Sequence, residues 1–168
     1  LRIRSIKNIG QVTRALQAVA ASKVKKATAA AAATTPYAAK AWQVLVHLAE
    51  QPGHDGLHPL LSERKEINNT LVLVITSDRG LAGASNVNVV REALQNFREV
   101  EHPISYVTVG RKGRDMLVSR RRNVIAEFSK LPSPPSFADT SAIGFLLVNE
   151  FLEGHYDEVY LAYNKYVN

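Results

Sequence analysis

The chain has 168 residues, of which 46% are hydrophobic and 21% are charged, so its composition is that of a globular protein able to bury a core. It contains no cysteine, which excludes disulfides, thiolate metal sites and cysteine nucleophiles. The sequence has no run of about 18 apolar residues, so we expect none of its segments to span a bilayer.

The net charge of +6 is distributed unevenly. Eight of the 21 basic residues lie in the first 49 positions, and all 15 acidic residues come later. We call residues 1–49 the basic arm. Its charge favours binding to an acidic partner, which can be nucleic acid, anionic lipid or an acidic protein surface. A basic, acid-free start is also typical of mitochondrial transit peptides. Nucleic acid fits less well, because only Tyr37 and Trp42 offer stacking surfaces in the arm.

Residues 3–48 predict one long helix, because good helix formers dominate and no glycine follows Gly10. At about 1.5 Å per residue this helix extends roughly 70 Å, well beyond a small domain. Pro36 is expected to bend the helix without ending it, and the Thr34 and Thr35 hydroxyls to bond to the backbone groups that it frees.

Apolar residues recur along this helix at three-four spacing, which predicts a coiled-coil seam. The seam consists of Ile9, Val12, Leu16 and Val19 and, after a slip of one residue, Val24, Ala27, Ala31, Thr34, Ala38, Ala41, Leu45 and Leu48. Its alanines allow close approach of a partner helix but contribute little burial energy. No matching heptads follow, so we expect the partner helix in another chain or in sequence after Asn168, and we prefer truncation as the explanation.

The predicted fold class is α/β, a long N-terminal coiled-coil helix plus a Rossmann-like, mostly parallel open sheet flanked by helices. We divide the chain into a shaft helix (1–52), an irregular Pro- and Gly-containing connector (53–69) and an α/β domain (70–168). Buried strands alternate with helical patterns in that domain. The strands are predicted at residues 70–76, 104–109, 124–128 and 158–163, and the helices at 86–99, 112–121 and 139–152.

The first strand runs into a glycine-containing turn, residues 77–85, where many α/β proteins bind phosphate. The turn lacks both the Lys-Ser/Thr of a Walker loop and the Gly-x-Gly-x-x-Gly of dinucleotide sites. We favour a structural turn with Asp78 and Ser85 as capping groups, and a nucleotide site remains the alternative. A nucleotide site would lose its affinity for ATP or NAD when Gly80 and Gly83 are replaced, whereas a structural turn has no such affinity to lose.

A second glycine-containing turn, residues 110–114, carries three cations and allows either an anion cradle or, as we prefer, a solvated corner. His54 and His58 approach metal spacing in a loop, where a surface role is more common. We expect no metal site and no cofactor. We nominate no catalytic residue, because the sequence has no Gly-x-Ser-x-Gly elbow and no paired carboxylates on one predicted helix face near a strand end.

Several blocks, in order, resemble the gamma subunits of F-type ATP synthases across essentially all 168 residues. The first covers residues 2–8, 12–16 and 19–23 of the long helix, and the second is Ser77-Asp78-Arg79-Gly80-Leu81 with Gly83 and Asn86. The others are Gly110-Arg111-Lys112-Gly113, Tyr156-Asp157-Glu158-Val159 and Tyr163-Asn164-Lys165. Ala82 stands where the family often has cysteine and Leu16 where methionine is common, and the family's C-terminal helix is missing.

The resemblance implies a non-catalytic central rotor subunit, present in one copy, that couples proton flow to ATP synthesis or hydrolysis. It implies that the helix lies inside a ring of alpha and beta subunits, and that the body meets the epsilon subunit and the c-subunit ring. The chain would then be peripheral at the inner face of an energy-transducing membrane, reach the membrane only through partners and bind no nucleic acid. We favour the cytoplasmic side of a bacterial cell membrane, with the matrix side of the mitochondrial inner membrane as the alternative. The residues expected to contact the ring are Arg2, Arg4, Lys7, Arg14, Leu16, Lys23, Lys25 and Lys26, and those of the seam are Ile9, Val12, Val19, Val24, Ala27 and Ala31.

Overall fold

The structure is a computed structural model that describes residues 2–51, 58–62 and 64–165, with side chains from residue 6 onward. The chain forms two compact units, Leu1–Glu50 and Gln51–Asn168. Gly53, His54, Asp55 and Gly56 of the predicted connector lie outside the described residues.

The first unit is a single helix, α1 (Arg2–Ala49). It continues through Pro36, as the abundance of alanine and other good helix formers predicts. The threonines before the proline differ from expectation. Thr34 and Thr35 donate their hydroxyls to the Ala30 and Ala31 carbonyls, at 3.1 and 2.7 Å. Pro36 frees the carbonyl four residues before it, so these bonds reinforce the preceding turn instead of replacing the lost bond.

The second unit alternates strands and helices after a short 3-10 helix, Pro59–Leu61. Its elements are β1 (Thr70–Ile75), α2 (Ser85–Asn96), β2 (Ile104–Val109), α3 (Arg111–Ser119), β3 (Asn123–Phe128), α4 (Phe137–Leu152) and β4 (Glu158–Ala162). The four strands are parallel in the order β3-β2-β1-β4, which confirms the predicted α/β class. The predicted bounds differ from these by up to three residues, most at the end of α2.

Strand β1 occupies the centre of the body because both of its faces are apolar. Val72 and Val74 pack with α2, α3 and Tyr106 on one face of the sheet. Leu71 and Leu73 pack with α4 on the other face. Five of the six β1 residues are buried, which explains the continuous apolar run in place of an alternating pattern.

Two charged side chains join the segment before β1 to the end of α4 and to the turn before β4. Arg64 donates to the Phe151 carbonyl at 3.1 Å, and its guanidinium lies 4.9 Å from the centre of the Phe151 ring. Asp157 accepts from the backbone N–H groups of Asn68 and Asn69, at 2.8 and 3.1 Å. These bonds, with the nearby Arg64 and His102 charges, lower the pKa of the Asp157 carboxyl despite partial desolvation.

Candidate functional site: the long helix and the carboxyl edge of the sheet

The apolar stripe of α1 is exposed to solvent in this chain. Its large members have more than half of their surface exposed, from 54% for Val19 to 64% for Leu16, and Ala27 and Ala31 are exposed as well. We define the stripe by Ile9, Val12, Leu16, Val19, Val24, Ala27 and Ala31. A soluble protein rarely leaves such a continuous apolar surface open, so the stripe has the character of an interaction surface.

Three cations of α1 lie on the face opposite the stripe. Lys7, Arg14 and Lys25 each precede a stripe residue by two positions, and two residues turn an α-helix by about 200°. They are separated by 7 and 11 residues, close to whole numbers of turns, so they form one row along the helix. We call Lys7, Arg14 and Lys25 the cation row.

The other predicted contact cations take different positions. Lys23 is four residues from both Val19 and Ala27, so it lies on the stripe itself, and Lys26 lies beside it. The side chains of Arg2 and Arg4 lie outside the described residues. Helical geometry thus separates the predicted contact residues into two faces, which the sequence analysis treated as one group.

The turn after β1 is structural, but its capping differs from the prediction. Helix α2 begins at Ser85 without a side-chain cap, and Ser77 and Asn86 join the strand end to the helix. The Ser77 N–H donates to Asn86 Oδ1 at 3.0 Å, and Asn86 Nδ2 donates to Ser77 Oγ at 2.8 Å. Ser85 accepts a bond from Asn164 Nδ2 at 2.6 Å instead of capping its helix.

Asp78 is a capping group, as predicted, and the helix that it caps is α3. Its carboxylate accepts the Arg111 N–H of α3 at 3.1 Å and the Lys130 N–H after β3 at 2.7 Å. The side-chain ion pair with Arg111 is longer, at 3.9 Å, and partly exposed. A single carboxylate therefore connects the turns that follow β1, β2 and β3.

The N-terminus of α3 has no backbone donors left for an anion. Besides Arg111 N–H, which Asp78 takes, Lys112 N–H donates to the Ser77 carbonyl at 3.2 Å. Gly113 N–H donates to Thr76 Oγ1 at 2.8 Å. The anion cradle considered for residues 110–114 is therefore occupied by the protein's own groups.

A cavity of about 320 Å³ opens between the carboxyl ends of β1 and β4. This is the topological switch point of the sheet, where open α/β folds place ligands. Most of its exposed lining surface is apolar, although polar residues such as Ser77, Ser85 and Asn164 line it beside Ile75 and Ala82, and none of the described lining residues is charged. The cavity therefore lacks the cation that would favour a phosphate group.

The described part of the chain contains no group of three or more His, Asp or Glu side chains that could hold a metal ion, and His54 of the predicted loop pair lies outside it. No helix there is both long and apolar enough to cross a membrane.

Sequence reasoning missed the side chains that join distant segments, namely Thr76, the Ser77–Asn86 pair, Arg64 and Asp157. A short polar residue directly after a buried strand was the available signal for Thr76 and Ser77. Arg64 and Asp157 gave no local signal, because their partners lie more than 85 residues away in the chain.

An extended helix joined to a parallel α/β body defines the architecture, and comparison with known proteins identifies its class. The family model described as ATP synthase matches residues 1–168. The ATP synthase gamma chain of Roseiflexus castenholzii is 39% identical over 170 residues, and that of Desulfitobacterium hafniense is 40% identical over 167. Each alignment covers 99% of this chain and 59% of the relative, so the chain spans 59% of the length of these curated relatives.

A solved structure agrees with this result. The central stalk and c-ring structure of Tetrahymena thermophila mitochondrial ATP synthase includes a chain that matches with a TM-score of 0.72 and 26% identity. The match covers 94% of this chain and 66% of the other. The chain belongs to the ATP synthase gamma-chain family, which confirms the resemblance found in its sequence.

Proposed function

We propose that this chain acts as the central rotor subunit of an F-type ATP synthase, transmitting rotation of the membrane ring to the catalytic sites. In this role it couples proton flow to ATP synthesis or hydrolysis without carrying catalytic groups of its own. The observation that carries the proposal is α1, a helix of 48 residues with an exposed apolar stripe on one face and the cation row on the other.

The apolar stripe is evidence for a partner helix that packs along α1. At about 1.5 Å per residue, the stripe from Ile9 to Ala31 extends roughly 33 Å, so a single partner helix can cover it along its whole length. The last two stripe positions, Ala27 and Ala31, are alanines, whose small side chains stabilise weakly, since burial contributes about 25 cal/mol per Å². A long partner compensates by adding many small contributions and packs closely against the small side chains.

The cation row supports contact with an acidic protein surface that surrounds α1 and its partner helix. When the stripe is covered, Lys7, Arg14 and Lys25 point away from the partner helix, toward the surrounding ring of alpha and beta subunits. Exposed ion pairs contribute only about 0 to 1 kcal/mol each, so the cation row makes weak electrostatic contacts and no tight ion pairs. Weak contacts of this kind suit a shaft that must turn.

Rotation would drive the catalytic sites through the asymmetry of the shaft. Each orientation presents a different face of α1 to each of the three sites, and therefore stabilises a different conformation at each one. The body would meet the epsilon subunit and the c-subunit ring, with one copy of the chain per complex. The chain would be peripheral, at the inner face of the energy-transducing membrane.

Stoichiometry tests the assembly. Native mass spectrometry of the complex that copurifies with the tagged full-length protein should find one copy of it per three copies of each ring subunit. A lone chain, or one that carries nucleic acid, would refute the rotor role.

The 168 residues contain no cysteine, so single cysteines introduced into α1, in a full-length protein from which any other cysteine has been removed, test its two faces separately. A cysteine-linked photo-crosslinker at Arg14 should capture a ring subunit, whereas the same group at Leu16 should capture the partner helix. Identical products from both positions would contradict the assignment of faces.

Coupling can be measured with the row removed. Lys7→Ala/Arg14→Ala/Lys25→Ala should reduce ATP-driven proton pumping more than ATP hydrolysis, while single changes have little effect. Lys65→Ala/Arg91→Ala/Arg98→Ala, which removes three exposed cations from the body, is the charge-matched control. Equal pumping-to-hydrolysis ratios in both triple variants would rule out a specific role for the row.

A further inference from the structure

The outer face of α4 is apolar, although the inner face of the same helix already packs on the sheet. Ile143 and Leu147 are buried among the apolar side chains of β1 and β2. Phe145 is two positions from both, and two residues turn an α-helix by about 200°, so it lies on the opposite side of the helix. There it is 70% exposed. A helix that is apolar on all of its sides is normally buried on all of them.

The residues of this outer face recur at three-four spacing, and none of them is charged. We define the outer face by Ala138, Ser141, Phe145, Val148 and Leu152. Val148 and Leu152 are exposed, as Phe145 is. The spacing is typical of a helix that packs along a second helix, and the small side chains of Ala138 and Ser141 allow a close approach at one end. The element that covers the outer face is therefore expected to be a helix.

Strand β4 is also uncovered on this side of the sheet. Val159 packs with the apolar cluster beneath α4, and Leu161, two positions later, shares that face because side chains alternate along a strand. Leu161 is 58% exposed. Two helices, α2 and α3, pack on the opposite face, whereas one, α4, packs on this face in the described part of the chain. A helix about 10 Å across cannot cover four strands that lie about 4.8 Å apart.

The winding of the chain indicates which segment fills this space. The chain moves from β1 to β2 to β3 with α2 and α3 on one face, and then returns across the sheet to β4 with α4 on the other face. Right-handed crossovers produce this arrangement, and about 98% of parallel crossovers have that hand. A crossover that leaves β4 in the same direction therefore places its helix beside α4, over Leu161.

We propose that a helix formed after β4 in the full-length protein packs along the outer face of α4 and covers Leu161. The curated relatives have the length for such a segment, since this chain spans 59% of each of them. The helix would give this face of the sheet the same two-helix cover as the opposite face. The contact lies within one chain, so the inference does not depend on the proposed rotor function.

Attachment to β4 favours this segment over a second copy or a separate subunit. The outer face has three large apolar members along roughly 20 Å of helix, so it offers an independent helix little area to bury. An independent helix also loses its translational and rotational freedom on binding. A segment joined to β4 is instead held at high effective concentration beside the outer face, so a small contact area is sufficient.

Photo-crosslinking in the purified full-length protein tests the contact. Phe145→benzoylphenylalanine should give a crosslink within one chain, to a peptide that follows Asn168. Val118→benzoylphenylalanine is the matched control, because Val118 is an apolar residue of α3, on the opposite face of the sheet, with 54% exposure. The control should not capture that peptide. A crosslink from position 145 to a second copy or to another subunit, or no crosslink at all, would overturn the inference.

Thiol labelling gives an independent readout. Phe145→Cys and Val118→Cys are compared in a full-length protein from which any other cysteine has been removed. The first should react with a maleimide about tenfold or more slowly, because a thiol beneath a docked helix reacts only when that helix detaches. Ser141→Cys, a nearly isosteric change on the same face, should be protected in the same way, which excludes an effect of losing the phenyl ring. Equal rates at all three positions, or protection that arises only after assembly with other subunits, would contradict the contact.

Native mass spectrometry of the complex reports on the rotor role alone, so the two proposals can fail separately. One chain per three ring subunits, together with rapid labelling at position 145, would refute the covering helix and leave the rotor role intact. Protection at position 145 in a chain that joins no ring would refute the rotor role and leave the covering helix intact.

Discussion

Replacing Gly110 by alanine should severely destabilise the α/β body. Gly110 joins β2 to α3 with φ 90° and ψ 135°, a backbone conformation open to glycine but strained for other residues. An added Cβ would overlap the Thr76 carbonyl oxygen and lie 2.8 Å from its carbonyl carbon. Both atoms belong to the backbone, and Thr76 is fixed by a 2.8 Å bond from its N–H to the Val109 carbonyl, so neither side can move easily.

The size of the effect follows from two terms. The backbone conformation costs roughly 1–3 kcal/mol, and forcing extra volume into a packed site costs about the same again. Together they give about 4 kcal/mol, which corresponds to a fall in melting temperature on the order of 15 °C for a domain of this size. The loss should be concentrated in the body, because α1 forms a separate unit.

The assay must therefore report on the body alone. Trp42, the chain's single tryptophan, lies in α1, so tryptophan fluorescence is unsuitable. Hydrogen exchange of peptides from β1 and β2, followed through urea denaturation, measures the body directly. Gly144→Ala is the control, since nothing lies within 4 Å of the added Cβ in α4 and alanine should stabilise that helix by up to about 1 kcal/mol. Equal stability of Gly110→Ala and the wild type, with the control behaving as expected, would refute the reasoning.

Three other changes test the remaining contacts. Thr108→Val should raise the free energy of unfolding by about 1 kcal/mol in urea titration, because the buried Thr108 hydroxyl has no hydrogen-bond partner among the described residues. Asp78→Ala should speed hydrogen exchange at the N–H groups of Arg111 and Lys130, which donate to the Asp78 carboxylate, whereas exchange in α4 should not change. The lowered pKa of Asp157 stabilises the fold above its ordinary value near 3.8, and this contribution is lost as the pH falls through the folded-state pKa. The difference in urea midpoint between wild type and Asp157→Asn should therefore be larger at pH 6 than at pH 3.

Local sequence patterns were sufficient to predict the elements of the body. The run from Thr70 to Ile75 is apolar at nearly every position, and only a central strand covered on both faces accommodates that pattern. The strict alternation of such runs with helical periodicity then leaves few topologies open. Helix ends were less accurate. Helix α2 stops at Asn96, and Phe97 after it packs edge to face with Tyr160 of β4, a tertiary contact without a local signal.

Capping was harder to predict because it depends on which chain segments meet. Asp78 looks like the cap of the helix that follows it, since Asp is common before helices. In the fold it caps α3, which begins 33 residues later, because parallel strands bring the turns after β1 and β2 to the carboxyl edge of the sheet. Tertiary structure thus selected the partner, although the residue type correctly indicated a capping role.

The two units differ in what stabilises them, and this difference agrees with their proposed roles. The body buries apolar residues on both faces of its sheet, and its turns are joined by internal hydrogen bonds. Helix α1 buries none of the stripe residues, so its alanine-rich centre depends on helix propensity and, in the proposed role, on a partner helix. A rotor subunit needs a rigid body to receive torque and a shaft that is completed by assembly. A self-sufficient body and an assembly-dependent helix in one chain meet both requirements.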